Sequence, residues 1–202
     1  MFHVKHISVQ SCQNEKLTAY AKLLQKYNQR INLLSRRTVD LGFEEHIQEC
    51  LAFADLQFST HDVIVDWGTG GGLPAIPLAI IWPEVKIYAV DAAEKKILAV
   101  RAFKRALDLP NLYPWHGRAE KFTVPIHYSI SRATTSLVNL WEWHSRVAPP
   151  DGGVLYCMKG GDITEEKKDL RVKYPQTEIT EMPLEQKCRV VLRVKCPSVE
   201  HR

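Results

Sequence analysis

A carboxylate followed within two residues by closely spaced glycines is where residue type and spacing in this chain first point to ligand chemistry. The stretch reads Asp62-Val63-Ile64-Val65-Asp66-Trp67-Gly68-Thr69-Gly70-Gly71-Gly72-Leu73-Pro74-Ala75-Ile76-Pro77-Leu78-Ala79-Ile80. Its apolar, β-branched opening marks a buried parallel strand. The glycines supply a turn that takes positive φ angles and lies against a ligand with no Cβ between them. Pro74 and Pro77 fall where a helix begins, and the first helical turn tolerates proline because its N–H groups have no intrahelical partner. Strand, glycine turn and helix together open a nucleotide-type βαβ unit.

The acids narrow the ligand. Gly68-x-Gly70-x-x-Leu73 misses the dinucleotide fingerprint at its third glycine, whereas Gly70-x-Gly72-x-x-Ala75 fits the looser G/A variant. Asp66, two residues before the loop, would repel a pyrophosphate but suits a ligand with a cationic end. S-adenosylmethionine has an ammonium, a sulfonium and no phosphate. Asp91 ends the next predicted strand (85–90), 19 residues after Gly72. That is close to the ~20-residue offset at which a carboxylate meets ribose hydroxyls.

The elements around this unit follow from periodicity. After a leader over 1–13, Asn14 can cap a helix to about Gln29, with Leu17, Tyr20, Leu24, Tyr27 and Ile31 on one face. A second helix is predicted over Phe43–Leu56. His46 and Cys50 on it are four apart, but with no third ligand at matching spacing a packed or hydrogen-bonded histidine is the better reading. A helix over 93–107 turns Val100, Phe103 and Leu107 inward. A weak strand follows near 112–117, with Pro114 counting against a regular one. A strand to Ser131 ends in Arg132, and a helix carries Leu137, Leu140, Trp141 and Val147, its tryptophans 141 and 143 read as packing. A strand over 154–158, a charged helix near 163–172 and two strands near 177–182 and 188–195 close the chain. Six or seven strands alternating with helices, then a terminal pair too close for a crossover helix, give a mainly parallel α/β sheet with an antiparallel edge.

Composition sets the outer bounds. The 202 residues suffice for one core, and the net charge of +4 permits a polyanionic partner without demanding one. Lys22, Lys26, Arg30, Arg36, Arg37, Arg101, Lys104 and Arg105 are candidate RNA contacts; those on helices read first as solvated faces, and Arg36 and Arg37 fall in a polar turn near the basic helix. No apolar run reaches the roughly 18 residues of a membrane span. Five cysteines without C-x-x-C spacing suggest reduced thiols in cytoplasm and no metal site.

In order and spacing, these residues resemble the bacterial 16S rRNA (guanine-N7)-methyltransferase G family, also called glucose-inhibited division protein B. The anchors are Tyr27-Asn28, Ile31-Asn32-Leu33, His46, Asp66-x-Gly68-Thr69-Gly70-x-Gly72-Leu73-Pro74, Asp91 with Lys95-Lys96, Arg118-Ala119-Glu120, Ser131-Arg132-Ala133 and Lys159-Gly160. The resemblance covers nearly the whole chain. It implies a Rossmann-like class I S-adenosylmethionine-dependent methyltransferase, with a helical extension over 1–60 and a seven-stranded core over 61–202. It implies a cofactor site at Asp66, Gly68, Gly70, Gly72, Leu73 and Asp91, with Ala119 and Glu120 bracketing the adenine and Arg132 beside the site. The partner it implies is 16S rRNA or a small-subunit particle, with a monomeric cytoplasmic enzyme. The chain departs from the family pattern at Leu34, at Glu49-Cys50, at Trp67 and at Asp91-Ala92-Ala93-Glu94.

The absences agree with this chemistry. N7 of neutral guanine needs no base, and no catalytic residue is expected. The chain lacks the Asp/Asn-Pro-Pro-aromatic tetrad of amino-group methylation and a Pro-Cys nucleophile for pyrimidine attack. Two alternatives stand beside it: an NAD(P)-dependent oxidoreductase on the shifted glycine frame, and a non-catalytic rRNA-binding protein that kept the fold.

Overall fold

The structure is a computed structural model that describes residues 9–34, 42–56, 58–132, 134–149, 152–184 and 189–196. Arg36, Arg37, Ala133 and Cys188, and the leader up to residue 8, lie outside the described residues. In chain order the strands are β1 (Val63–Trp67), β2 (Lys86–Asp91), β3 (Leu112–His116), β4 (Tyr128–Arg132), β5 (Val154–Gly160), β6 (Glu178–Pro183) and β7 (Arg189–Lys195). The helices are α1 (Ser11–Asn28), α2 (Phe43–Cys50), α3 (Ala75–Ile81), α4 (Glu94–Ala106), α5 (Leu137–Ser145) and α6 (Thr164–Lys173), with short 3-10 turns at Leu51–Asp55 and Ala119–Lys121.

The strands form one seven-stranded sheet in the order β3-β2-β1-β4-β5-β7-β6. Strands β3 to β5 pair in parallel, and β7 runs antiparallel between β5 and β6. The order reverses beside β1, and in such sheets ligands bind outside the carboxyl ends of the strands at that reversal. The glycine loop leaves β1 there.

Alternation along β1 splits the sheet into two cores. Ile64 faces a cluster built with α1 to α4, including Leu17, Tyr20, Ile47, Ile76 and Phe103. Val65 and Trp67 face the opposite cluster with Phe122, Leu140, Trp141 and Leu192. The N-terminal helices thus share their core with the sheet.

Three local outcomes differ from the sequence reading. Helix α1 starts at Ser11, because the Gln13 side chain accepts the Gln10 N–H at 2.9 Å and caps the helix a turn before Asn14. Residues 11–13 are therefore helix, not leader. Strand β3 is regular despite Pro114, which pairs with Ala89. Because β3 is the outermost strand it needs only one partner, and proline is tolerated at such an edge. The second helix is α-helical only to Cys50 and tightens to a 3-10 turn beyond.

The bulky Trp67 is accommodated by a polar pair beneath it. Its indole N–H donates to Ser129 Oγ at 2.9 Å, and Ser129 Oγ lies 2.8 Å from His144 Nδ1. Burial lowers the His144 pKa to about 4, so this pair is neutral.

Candidate functional site

The glycine loop is held from three sides. Gly68, Gly70 and Gly72 all have positive φ (71°, 59° and 98°), which L side chains rarely adopt. From the sheet side, Asp91 Oδ2 accepts the Gly70 N–H at 3.0 Å, while Oδ1 accepts the Ala93 N–H at 2.8 Å at the start of α4. From the N-terminal side, Tyr20 Oη donates to the Gly71 carbonyl at 2.9 Å. Asn28 Oδ1 accepts the N–H groups of Leu33 and Leu34, both at 2.9 Å, and so fixes the turn behind Gly70 and Gly71. A Cβ on Gly68 would stand 2.2 Å from Thr134 Cγ2.

Two cavities meet at this loop. The first, about 340 Å³, is lined by Gly68, Asp91, Lys96, Ala119, Glu120 and Trp143, among others. The second, about 210 Å³, is lined by Leu33, Leu34, Gly68 to Gly71, Leu73, Lys96, Arg132 and Arg189. The structure therefore brings Gly68, Asp91, Ala119 and Glu120 around one cavity, and Gly68, Gly70, Leu73 and Arg132 around the other. Asp66 and Gly72 line neither. Gly72 is where a Cβ would meet Ile76 Cδ1 at 2.4 Å, so its role is packing of α3 against the loop.

Asp66 lies fully buried beneath the loop. One oxygen accepts the Ala75 N–H at 3.2 Å at the head of α3. Its Oδ1 and the Thr69 hydroxyl are buried side by side, interact with each other and have no further hydrogen-bond partner among the described residues. Burial raises the Asp66 pKa to about 7. Thr69, the Ala75 N–H and Arg132 pull it back, and Asp91 pushes it further up. The folded state therefore holds this proton more tightly than the unfolded chain. The resulting stability is full below pH 4 and is lost as pH rises through 7. Asp66→Asn keeps an acceptor for Ala75 and removes the titration. The difference in stability between wild type and variant should then change by of order 4 kcal/mol between pH 4 and 8, at about 1.36 kcal/mol per unit. Melting both proteins across that range checks it; parallel curves would mean Asp66 does not titrate there.

Arg132 stands at the wall of the second cavity in a buried ionic cluster. Its Nη1 donates to Glu49 Oε2 at 3.2 Å and lies 3.2 Å from His46 Nδ1. Arg189 on β7 donates to the same Glu49 oxygen at 2.9 Å. Burial alone would raise the Glu49 pKa, but the His46 hydrogen bond, Arg189 and Arg132 together hold it below the usual range. His46 is thus a buried, hydrogen-bonded histidine. Glu49, where the chain departs from the family pattern, is the carboxylate that both guanidiniums share.

Several lining residues went unmarked in the sequence. Trp143, read as packing, lines the first cavity, and its indole N–H donates to Glu120 Oε1 at 3.1 Å. Thr134, whose hydroxyl donates to the Trp67 carbonyl at 2.8 Å, abuts Gly68. Arg189 is 140 residues from Glu49, a separation at which no periodicity or spacing gives a signal.

These residues fit S-adenosylmethionine. The first cavity falls within the size range of small-molecule sites. It offers carboxylates for ribose hydroxyls and an adenine amino group, with an indole wall. Beneath the loop beside it lies the buried Asp66 carboxylate, whose charge suits a cationic ligand end.

The comparisons with known proteins agree. Residues 13–190 match the family model described as rRNA small subunit methyltransferase G. A ribosomal RNA small subunit methyltransferase G of Salinibacter ruber is 42% identical over 175 residues, covering 83% of this chain and 81% of its own. That of Cytophaga hutchinsonii is 34% identical over 175 residues, covering 83% of each. Among solved structures, a SAM dependent methyltransferase from Aquifex aeolicus superposes with a TM-score of 0.58 at 16% identity, over 87% of this chain and 98% of that one. That likeness concerns the fold alone. Fold, loop and sequence matches converge: the chain belongs to the rRNA small subunit methyltransferase G family.

Proposed function

We propose that this protein transfers the methyl group of S-adenosylmethionine to N7 of a guanine in 16S ribosomal RNA, acting as a cytoplasmic monomer. The observation that carries the reading is the cavity over Gly68, with Asp91 and Glu120 on its walls and the Arg132 cavity opening beside it. In this reading Asp91 takes the ribose hydroxyls while anchoring Gly70, and Ala119 and Glu120 bracket the adenine. Trp143 holds Glu120 in place through its N–H. Thr69 lines the second cavity, and the Asp66 carboxylate buried beneath the loop favours a cationic amino-acid end by its charge and not by contact. The main-chain positions of Gly68, Gly70 and Leu73 give that end its shape.

When bound, S-adenosylmethionine supplies an electrophilic methyl group on a sulfonium, which a lone pair can displace in line. N7 of neutral guanine carries such a lone pair and no proton. The chain therefore has to align two reactants and exclude water, and needs no group to move a proton. Glu49 offsets one of the two positive charges of Arg132 and Arg189, which reduces the electrostatic penalty of a methylated guanine that carries positive charge. The shifted frame Gly70-x-Gly72-x-x-Ala75 supports no dinucleotide site, since Gly72 is spent on packing.

The test is methyl transfer from labelled S-adenosylmethionine to small ribosomal subunits from a strain lacking this gene, with nucleosides identified by mass spectrometry. Label in 7-methylguanosine is expected. Label in another nucleoside would refute the N7 assignment, and no transfer to any small-subunit substrate would refute the reaction.

A further inference from the structure

The lysines toward the end of the chain are balanced differently from the cations of α1 and α4. Every described lysine beyond residue 150 is ion-paired: Lys159 with Glu166 at 2.8 Å, Lys168 with Glu165 at 3.5 Å, Lys195 with Glu178 at 3.1 Å, Lys167 with Glu181 and Lys173 with Glu142. Helices α1 and α4 are different. Residues 16–30 and 95–105 contain no aspartate or glutamate at all. Lys22, Lys26, Arg30, Lys95, Arg101 and Arg105 are exposed and make no ion pair among the described residues. Uncompensated like charges on neighbouring helices repel one another and contribute nothing to folding. Six exposed cations gathered on two acid-free stretches, where among the described residues only Lys96 is ion-paired (with Asp91 at 3.7 Å), present a surface for a polyanion.

The packing tells where that surface leads. The two helices pack together: Lys16 Nζ near the start of α1 donates to the Asp108 carbonyl past the end of α4, and Tyr20 and Tyr27 both pack edge-on against Phe103, at 5.8 and 4.9 Å. The turn that follows α1 and the first turn of α4 both reach the second cavity, where Leu33, Leu34 and Lys96 form part of the wall. Lys95 to Arg105 spans about 15 Å along the helix axis at 1.5 Å per residue. Leu98, 53% exposed, sits within the same stripe and offers an apolar contact to a sugar or base edge.

We infer that the outward face of α1 and α4 docks the phosphodiester backbone of the RNA and leads the target strand to the cavity at Lys96 and Arg132. This rests on the reading of small-subunit RNA as substrate. Its contacts are to phosphate, so they position the RNA and do not read its sequence.

The experiment compares wild type with a Lys22→Gln, Lys26→Gln, Arg101→Gln, Arg105→Gln variant. The readout is kcat/KM for small subunits as a function of potassium chloride concentration, with the Kd for S-adenosylmethionine measured alongside. Each lost phosphate contact should flatten the log–log salt dependence by about 0.7–0.9, so the variant's slope should fall by about 3 and its KM for the RNA rise at least about tenfold. The cofactor Kd should stay unchanged. Lys167→Gln, Lys168→Gln, Lys173→Gln on α6 should alter neither slope nor KM. If the fourfold variant fails to fold, the single substitutions Lys22→Gln and Arg101→Gln should each flatten the slope by about 0.7–0.9. An unchanged slope with an active wild type would overturn this surface alone. A wild type that methylates no RNA would overturn the substrate reading and the surface with it.

Discussion

Gly68→Ala is expected to lower kcat/KM for S-adenosylmethionine by about 100-fold or more, because the loop must move by roughly 1 Å to admit one methyl group. The position is strained twice for any side chain. Its φ is +71°, and the new Cβ would stand 2.2 Å from Thr134 Cγ2 and 2.7 Å from its Oγ1. Thr134 cannot simply rotate away, since its hydroxyl donates to the Trp67 carbonyl and accepts from Ser131 Oγ at 3.0 Å. The backbone conformation alone costs about 1–3 kcal/mol. Thr134→Ala in the same chain removes the two nearest atoms and should restore part of the loss. Calorimetric cofactor titrations of the single and double variants check this. A Gly68→Ala protein with wild-type affinity would mean that the loop does not touch the cofactor.

The second large effect lies in the ionic cluster. Glu49→Ala should destabilise the fold by about 3–5 kcal/mol, the range for removing one partner of a buried pair. Arg132 is left 9% exposed with no carboxylate, and Arg189 loses the same partner. For a chain of this length that corresponds to a Tm lower by roughly 10 °C or more. The sign with pH follows from the lowered Glu49 pKa. Its contribution is present above the ordinary carboxylate range and is lost as pH falls through the folded value, so wild type and variant should converge in acid. In an Arg189→Ala background the cost of Glu49→Ala should shrink. Thermal melts of the four proteins give the coupling directly, and a Glu49→Ala Tm within 2 °C of wild type, a small fraction of the shift that buried-pair costs imply, would show the cluster to be solvated.

The glycine loop, Asp66 and Asp91 were legible because they are local: strand, turn and acid recur at fixed sequence offsets, and the sheet follows from alternating periodicities. What escaped the sequence comes from long-range closure. Trp143 looked like packing because helix periodicity says which face is buried but not that a buried edge borders a cavity. Arg189 meets Glu49 only once β7 has inserted between β5 and β6. Pro114 was misjudged because a strand's tolerance for proline depends on its place in the sheet. The burial of Asp66 under α3, which raises its pKa, follows from strand alternation and the packing of that helix and not from its distance to the loop. The departures from the family pattern at Glu49 and Trp67 both acquire partners that the local sequence does not show.

The most direct measurement is a crystal structure with S-adenosylhomocysteine bound. The expected arrangement has the ribose hydroxyls on the Asp91 carboxylate, the adenine against Glu120 and Trp143, and the amino-acid end along Gly68 and Thr69, with the sulfur pointing toward the cavity of Arg132. A nucleoside bound elsewhere, with Asp91 and Glu120 untouched, would contradict it.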